Sequence, residues 1–305
     1  MPLGVCILTF ESEQFIIKCV SSVLAALQGS PHHIVIVDNH STDRSVAVVR
    51  QAFPDLPVIV NASNLGYARG NNVGAKYLIT MGCDYLAFLN PDVLVNRDTL
   101  HNLQAALLNA PSAGCVGGVV PGLKPFRHKP EFLDFLLLDG SLRYVPFVRR
   151  LLNPLVQIRS SANYIALSDK PDQSAIPVYS VSGACIMLPV TAFTTINGFD
   201  EGTFLYAEEF IMSERLRSAG LQVCGVPYAK YEHTCSHSTG KRELLSRYTQ
   251  AKSEYYLTRQ YYRWPIMKSA VLFFVQCTSA LVLVAVRLVG RGVSRLRNSA
   301  ARARP

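Results

Sequence analysis

Between residues 3 and 95, short apolar runs alternate with segments whose apolar residues recur at helical spacing, and this constrains the fold more than any other feature. Residues 3–9 (LGVCILT), 33–39 (HIVIVDN), 57–64 (PVIVNASN) and 85–93 (YLAFLNPDV) read as strands. Residues 14–28, 41–53 (STDRSVAVVRQAF) and 66–82 (GYARGNNVGAKYLITMG) read as the helices between them. Strands apolar along their whole length need cover on both faces. Helical crossovers supply it and return the chain in the same direction with a right-handed turn. The pattern predicts an α/β fold with a parallel, doubly wound sheet.

The alternation stops at 121–177, where prolines at 121, 125, 130, 146, 154, 171 and 177 interrupt any long element. LKPFRHKPEFLDFLLLDGSLRYVPFVRRLL mixes basic and bulky apolar groups and suits a mobile flap, a membrane-facing surface or an acceptor loop. Regularity resumes with an apolar strand at 178–189 (VYSVSGACIMLP), then a short helix, then NGFDEGTFLYAEEFIMSERLRSAG.

The net charge of +9 is confined to the end of the chain. All 21 acidic residues lie at or before Glu254, and nine basic residues follow it, leaving 21 basic against 21 acidic in the body. A neutral body without a basic readout surface speaks against nucleic-acid binding. The eight cysteines form no CxxC pair and no zinc-type cluster, and most sit in apolar runs, as buried reduced thiols do. The start, MPLGVCILTFESE, turns acidic too soon for a signal peptide and favours a cytoplasmic catalytic portion. Residues 269–286 carry no charge across 18 positions, the short end of what spans a bilayer. Gln276, Thr278 and Ser279 sit at its centre and weaken a spanning role. Arg287, Arg291, Arg295 and Arg297 follow and suit anionic headgroups at about 1 kcal/mol each. The expected element is a membrane-associated helix, interfacial or embedded; the alternative is a buried helix of the body.

Several groups carry potential chemistry. Asp92 ends an apolar strand in Asn90-Pro91-Asp92. A carboxylate there is costly unless it meets a charge or hydrogen bonds. Strand ends in open α/β sheets are where ligands bind, and Mg²⁺ is held by one or two carboxylates plus phosphate oxygens. The plainer alternative is a turn with Asp92 capping a helix. Asp38 closes a strand in VDNHSTD and either contacts a nucleobase or ribose or serves as an ordinary turn residue, with Asp43 holding the following helix. Asn64-Leu65-Gly66-Tyr67-Ala68-Arg69-Gly70-Asn71-Asn72 offers free N–H groups at a helix start, suited to a phosphate, or is a glycine turn. Phe199-Asp200-Glu201 and Tyr206-Ala207-Glu208-Glu209 place four carboxylates within ten residues. Paired carboxylates against an apolar wall give a general base; at a helix start they are otherwise capping groups. Arg215, two helical turns beyond Glu208, is placed to restrain it. His233, after an apolar stretch, is either structural or a second ligand to the ion at Asp92.

ILTFES (7–12), VIVDNHSTDRS (35–45), NASNLGYARGNNVGA (61–75), FLNPDV (88–93), SGACIMLP (182–189), NGFDEGTFLYAEE (197–209) and the His233 segment occur in a known order. The chain resembles family 2 glycosyltransferases of the GT-A fold, in their bacterial rhamnosyltransferase-like branch. The resemblance implies a Rossmann-like nucleotide-sugar-binding sheet flanked by helices. The resemblance spans about residues 3–237 and, with the composition, gives a nucleotide-sugar-binding half at 1–120, a variable insertion at 121–177 and an acceptor and catalytic half at 178–240; the helical, membrane-associated basic tail at 241–305 rests on the charge and apolar run of that segment alone. Thr9 and Glu11 would line the nucleotide site, Asp38 would contact the base, and Asn64, Gly66, Asn71 and Asn90 would surround the donor. Asp92 would hold Mg²⁺ or Mn²⁺ on the diphosphate, with His233 as second ligand. Glu209 falls where the family places its base, usually Asp, with Glu208 as second choice; an acid common two residues later is Ile211 here. The implied activity is inverting transfer of a sugar, such as rhamnose, from a nucleotide-diphosphate donor; the membrane-associated tail points to a lipid-linked saccharide as acceptor, at the cytoplasmic membrane face. The same fold accommodates a UDP-hexose or UDP-galactofuranose donor, or a sugar-nucleotide-binding subunit without turnover.

Overall fold

The computed structural model describes residues 1–120, 125, 127–139, 146–164, 175–234 and 243–282. Two compact units result: Met1–Lys129 with Asn163–Ser238, and Pro130–Ala162 with Thr239–Pro305.

In the first unit, β1 (Leu3–Thr9), α1 (Ile16–Ala26), β2 (His32–Asp38), α2 (Ser45–Ala52), β3 (Val58–Val60), α3 (Gly66–Thr80) and β4 (Tyr85–Leu89) alternate as expected. These four strands run parallel in the order β3-β2-β1-β4. Every residue of β1 and β4 is buried, because the period-2 pleat sends alternate side chains to two cores. Leu3, Val5 and Ile7 join α1 on one face, and Cys6 and Leu8 meet α3 on the other.

The rest of this unit is β5 (Val93–Val95), α4 (Thr99–Asn109) and β6 (Ala113–Val119), then β7 (Ile176–Val178), β8 (Cys185–Pro189), α7 (Val190–Thr195), α8 (Glu208–Ser218) and β9 (Gln222–His233). Here the sheet departs from the all-parallel expectation. β8 lies between β4 and β6 and runs antiparallel to both. It enters after the long excursion beyond β6, not from a helical crossover, so nothing forces a parallel return. The strand expected over 178–189 is also broken. β7 ends at Val178, and β8 begins at Cys185. After Asn90-Pro91-Asp92 the chain enters β5, not a helix, so Asp92 caps no helix.

In the second unit, α5 (Phe132–Asp134) runs into one π-helical turn (Phe135–Asp139) and is followed by α6 (Pro146–Asn163). Arg159 donates to Asp134 (2.7 Å) and Glu131 (2.9 Å), tying α6 to the start of α5. Phe135 packs on Tyr262 and Trp264. These two aromatics lie between α9 (Glu243–Gln260) and a helix over residues 266–282, called α10. α9 and α10 meet through polar groups. Thr258 Oγ1 donates to Ser269 Oγ (3.0 Å), and Gln276 donates to Glu254. Leu272, Ser279 and Ala280 are buried on the same face of α10. Among the described residues no helix is long and apolar enough to cross a membrane. Residues 283–286 of the expected apolar helix, and the arginines beyond, lie outside the described residues.

Candidate active site

The sheet brings Asp92 and His233 together. β5 pairs antiparallel with the end of β9, so Val93 faces His233, and the Thr234 N–H donates to the Asp92 carbonyl (3.2 Å). Asp92 Oδ1 then lies 3.3 Å from His233 Nε2. Asp92 is 4% exposed, and His233 Nδ1 is a buried atom with no hydrogen-bond partner. A carboxylate and an imidazole thus converge at the mouth of the apolar strand. Among the described residues no group of three or more His, Cys, Asp or Glu is placed to hold a metal ion. One carboxylate, with the other positions left to phosphate oxygens and water, is enough to hold Mg²⁺ on a diphosphate. An imidazole is a better donor to a transition-metal ion such as Mn²⁺.

Glu208 and Glu209 open α8. The two residues before Glu208, Tyr206 and Ala207, have φ of 75° and 67°, backbone values that strain non-glycine residues and concentrate at functional sites. Glu208 is buried and its Oε1 has no hydrogen-bond partner. Burial, and then the neighbouring Glu209 charge, push its carboxyl well above the ordinary range. Glu209 is partly exposed and its Oε1 accepts the Gly183 N–H (3.2 Å); burial also raises its carboxyl. The two neighbouring carboxyls are raised together, each by burial first. The Gly183 N–H on Glu209 favours the charged form of that carboxyl. Arg215 does not restrain Glu208: its guanidinium donates to the Ile196 carbonyl.

These groups share one end of the sheet. The Asn90 N–H donates to the Ala184 carbonyl (3.0 Å), so the Asn90-Pro91-Asp92 turn lies against the Gly183–Ala184 segment that holds Glu209. Gly66 closes the site from α3. Its φ is +79°, and a Cβ there would fall 2.1 Å from the Phe204 carbonyl oxygen. Asn64 Oδ1 accepts the Gly66 N–H (2.9 Å). Asn72 holds the Phe199 peptide by both polar groups, donating to its carbonyl and accepting its N–H (2.9 Å each).

The remaining candidates fall at the ends of β1 and β2. Thr9 is buried, with Oγ1 unpartnered, and is level with Asp38 across the ladder. Asp38 is fully buried and accepts from Ser41 N (2.9 Å) and Ser41 Oγ (2.6 Å). Glu11 (φ 52°) accepts from Thr42 N (2.7 Å) and Oγ1 (2.9 Å), bracing the two loops against each other. Asp43 accepts from Ser45 and from Glu13 N, at the entry to α2. Asn71 lies in the buried contact of α3 with β1, accepting from Cys6 Sγ (3.6 Å), its Nδ2 unpartnered. The described cysteines are free thiols, and burial raises them.

Residues 4–164, more than half of the chain, match the model described as Glycosyl transferase family 2. The chain belongs to glycosyl transferase family 2. It is 27% identical over 235 residues to the N-acetylglucosaminyl-diphospho-decaprenol L-rhamnosyltransferase of Mycobacterium tuberculosis, covering 74% of each chain. It is 24% identical over 238 residues to the rhamnosyltransferase WbbL of Escherichia coli, covering 76% of this chain and 83% of that protein. Its fold is similar to that of the mannosyltransferase PcManGT of Pyrobaculum calidifontis, solved with GDP-Man and Mn²⁺. The TM-score is 0.57 at 17% identity, over 99% of this chain and 80% of that one.

Sequence reasoning about this glycosyltransferase did not single out Gly183 or Tyr67, which meet Glu209 only through the folded chain. Gly183 sits in what reads as an unbroken apolar strand, and Tyr67 sits in the glycine-rich helix start as one aromatic among many. The signal that was available is the chemistry of SGA at 182–184, small residues before an apolar run, which suit close backbone approach.

Proposed function

We propose that this glycosyltransferase moves a rhamnosyl group from a nucleotide-diphosphate donor to a lipid-linked saccharide, by a single displacement with inversion, in cell-surface polysaccharide synthesis. One observation carries the mechanism: Glu209, partly exposed, shares the sheet end with Asp92 and His233 through the Gly183–Ala184 and Asn90-Pro91-Asp92 segments. Glu209 takes the proton from the acceptor hydroxyl, and that oxygen attacks the anomeric carbon as the bond to the diphosphate breaks. Asp92 and His233 would hold Mg²⁺ or Mn²⁺; when bound, such an ion neutralises charge on the departing diphosphate. Thr9, Glu11, Asp38, Asn64, Gly66, Asn71 and Asn90 frame the donor side. The two rhamnosyltransferase relatives favour rhamnose over a UDP-hexose or UDP-galactofuranose.

The enzyme works at the cytoplasmic membrane face, a reading supported by the polarity of the second unit. Glu254, Gln276, Thr258 and Ser269 are buried between α9 and α10. Met267 is 72% exposed and Phe274 65% exposed, with Val271 and Leu281 on the same stripe of α10. Leu151, Leu155 and Ile158 form an exposed stripe on α6 at the same spacing. Polar groups share the buried side with Leu257, Leu272 and Ala280, while the large apolar groups of the stripe face outward, which suits a helix lying in the headgroup boundary. The test is turnover: the purified protein with a panel of nucleotide sugars and a prenyl-diphosphate N-acetylglucosamine acceptor. The expected result is product from dTDP-rhamnose; product only from a UDP-sugar would replace the donor assignment.

A further inference from the structure

We propose that Tyr67 is a positioning residue for the base, acting through the backbone of Gly183. Tyr67 Oη donates to the Gly183 carbonyl (2.7 Å), and the Gly183 N–H donates to Glu209 Oε1 (3.2 Å). Gly183 is therefore gripped on both sides, by α3 at its carbonyl and by α8 at its amide. No side chain intervenes. A Cβ on Gly183 would stand 3.1 Å from Glu209 Cγ and Oε1 and 3.2 Å from Tyr67 Oη, so the three groups are packed to contact around one α-carbon.

The tyrosine is itself fixed. Its ring meets Phe199 edge-on at 5.7 Å, and Phe199 packs against Phe88 and Phe193 in the core. Its own N–H donates to the Phe204 carbonyl (3.0 Å), in the loop that leads to Glu208 and Glu209. α3 thus holds the base from two directions: through the Phe204 loop before it and through Gly183 beside it. The Gly183–Ala184 segment would otherwise be anchored at the site end mainly by the Asn90 N–H on Ala184. Without the Tyr67 hydroxyl, the Gly183 amide is free to drift, and the carboxylate it orients drifts with it. Misplacement of a catalytic group by about 1 Å lowers a rate by up to about 10²-fold. The Tyr67 hydroxyl is spent on the Gly183 carbonyl, so its loss is expected to act on the base and not on donor affinity.

This inference rests on Glu209 being the base, and the experiment separates the two claims. Tyr67→Phe keeps the ring and removes only the hydroxyl. It should lower kcat about 10- to 100-fold while KM for the donor stays within about twofold. In a Glu209→Gln background the same change should cost nothing further, because the group it positions is gone. Gly183→Ala, which pushes on Glu209 from the other side, should also lower kcat with donor KM unchanged; it serves where Tyr67→Phe does not fold. Tyr67→Phe with wild-type kcat, or an equal loss in the presence and absence of Glu209, overturns the positioning role. A fully active Glu209→Gln overturns the base assignment instead.

Discussion

His233 Nε2 stands 3.3 Å from Asp92 Oδ1 because Val93 and His233 are paired residues of the β5–β9 ladder. Two groups separated by about 140 positions in the chain are thereby held as one unit. His233→Ala and Asp92→Asn should each abolish transfer while shifting Tm by only a few degrees, the size expected of a change at a site. Isothermal titration of donor with Mn²⁺ should show the same loss of ion-dependent binding in both. Binding retained in His233→Ala would reduce His233 to a structural partner of Asp92.

Glu209→Gln keeps shape and loses the proton acceptor, so kcat should fall about 10²- to 10⁴-fold with donor affinity intact. Burial raises this carboxyl, so the acid limb of the kcat profile should lie above the ordinary carboxylate range. Activity is complete above the raised value and is lost as pH falls through it. If Glu208→Gln is inactive and Glu209→Gln active, the two roles exchange.

Glu208 has the opposite effect on stability. Its folded form holds a proton more tightly than the unfolded chain does, so its contribution is intact below the ordinary carboxylate range. That contribution is lost as pH rises towards the raised value, because charging a buried group beside Glu209 is costly. Tm should therefore decline from mildly acidic to alkaline pH, and Glu208→Gln should flatten the decline. Thermal melts across pH give the slope directly.

The strand–helix alternation was legible because each of the first four strands is apolar along its length and each connection carries helical spacing. Asp92 and His233 stand out in the sequence because each closes an apolar run, while their pairing across the β5–β9 ladder needs the fold; Glu209 is preferred to Glu208 in the sequence only through the family resemblance. β8 was not legible: an apolar pattern fixes burial but carries no direction. The split of 178–189 was equally hidden, since Ser182-Gly183-Ala184 interrupts pairing without interrupting apolarity. Arg215 misled because helical spacing says which residues share a face, not which carbonyl a long side chain reaches.

Gly66 combines a left-handed backbone with contact on the Phe204 carbonyl. Gly66→Ala should destabilise the fold by about 1–3 kcal/mol and lower activity, since Phe204 precedes the base. A melt and a single-turnover rate check both. Unchanged values would mean that the α3 start and the Phe204 loop are not coupled.

Phe274→Glu and Met267→Glu place charge on the exposed stripe of α10 and leave the buried Glu254–Gln276 bond untouched. Both should lower flotation with phosphatidylglycerol-containing vesicles by several-fold and reduce transfer to a lipid-linked acceptor more than to a short soluble one. Removing α10 outright is a poorer test, because it strands buried Glu254 and Thr258. Full flotation by both variants would remove the membrane role of this face.

The most direct test of the account is the configuration of the new glycosidic bond. Single displacement by an acceptor oxygen activated by Glu209 inverts the anomeric carbon, with no covalent sugar–protein intermediate. NMR of the product made by wild-type protein should show the anomer opposite to that of the nucleotide donor. Product with the donor's configuration retained would contradict a single displacement and the role given to Glu209.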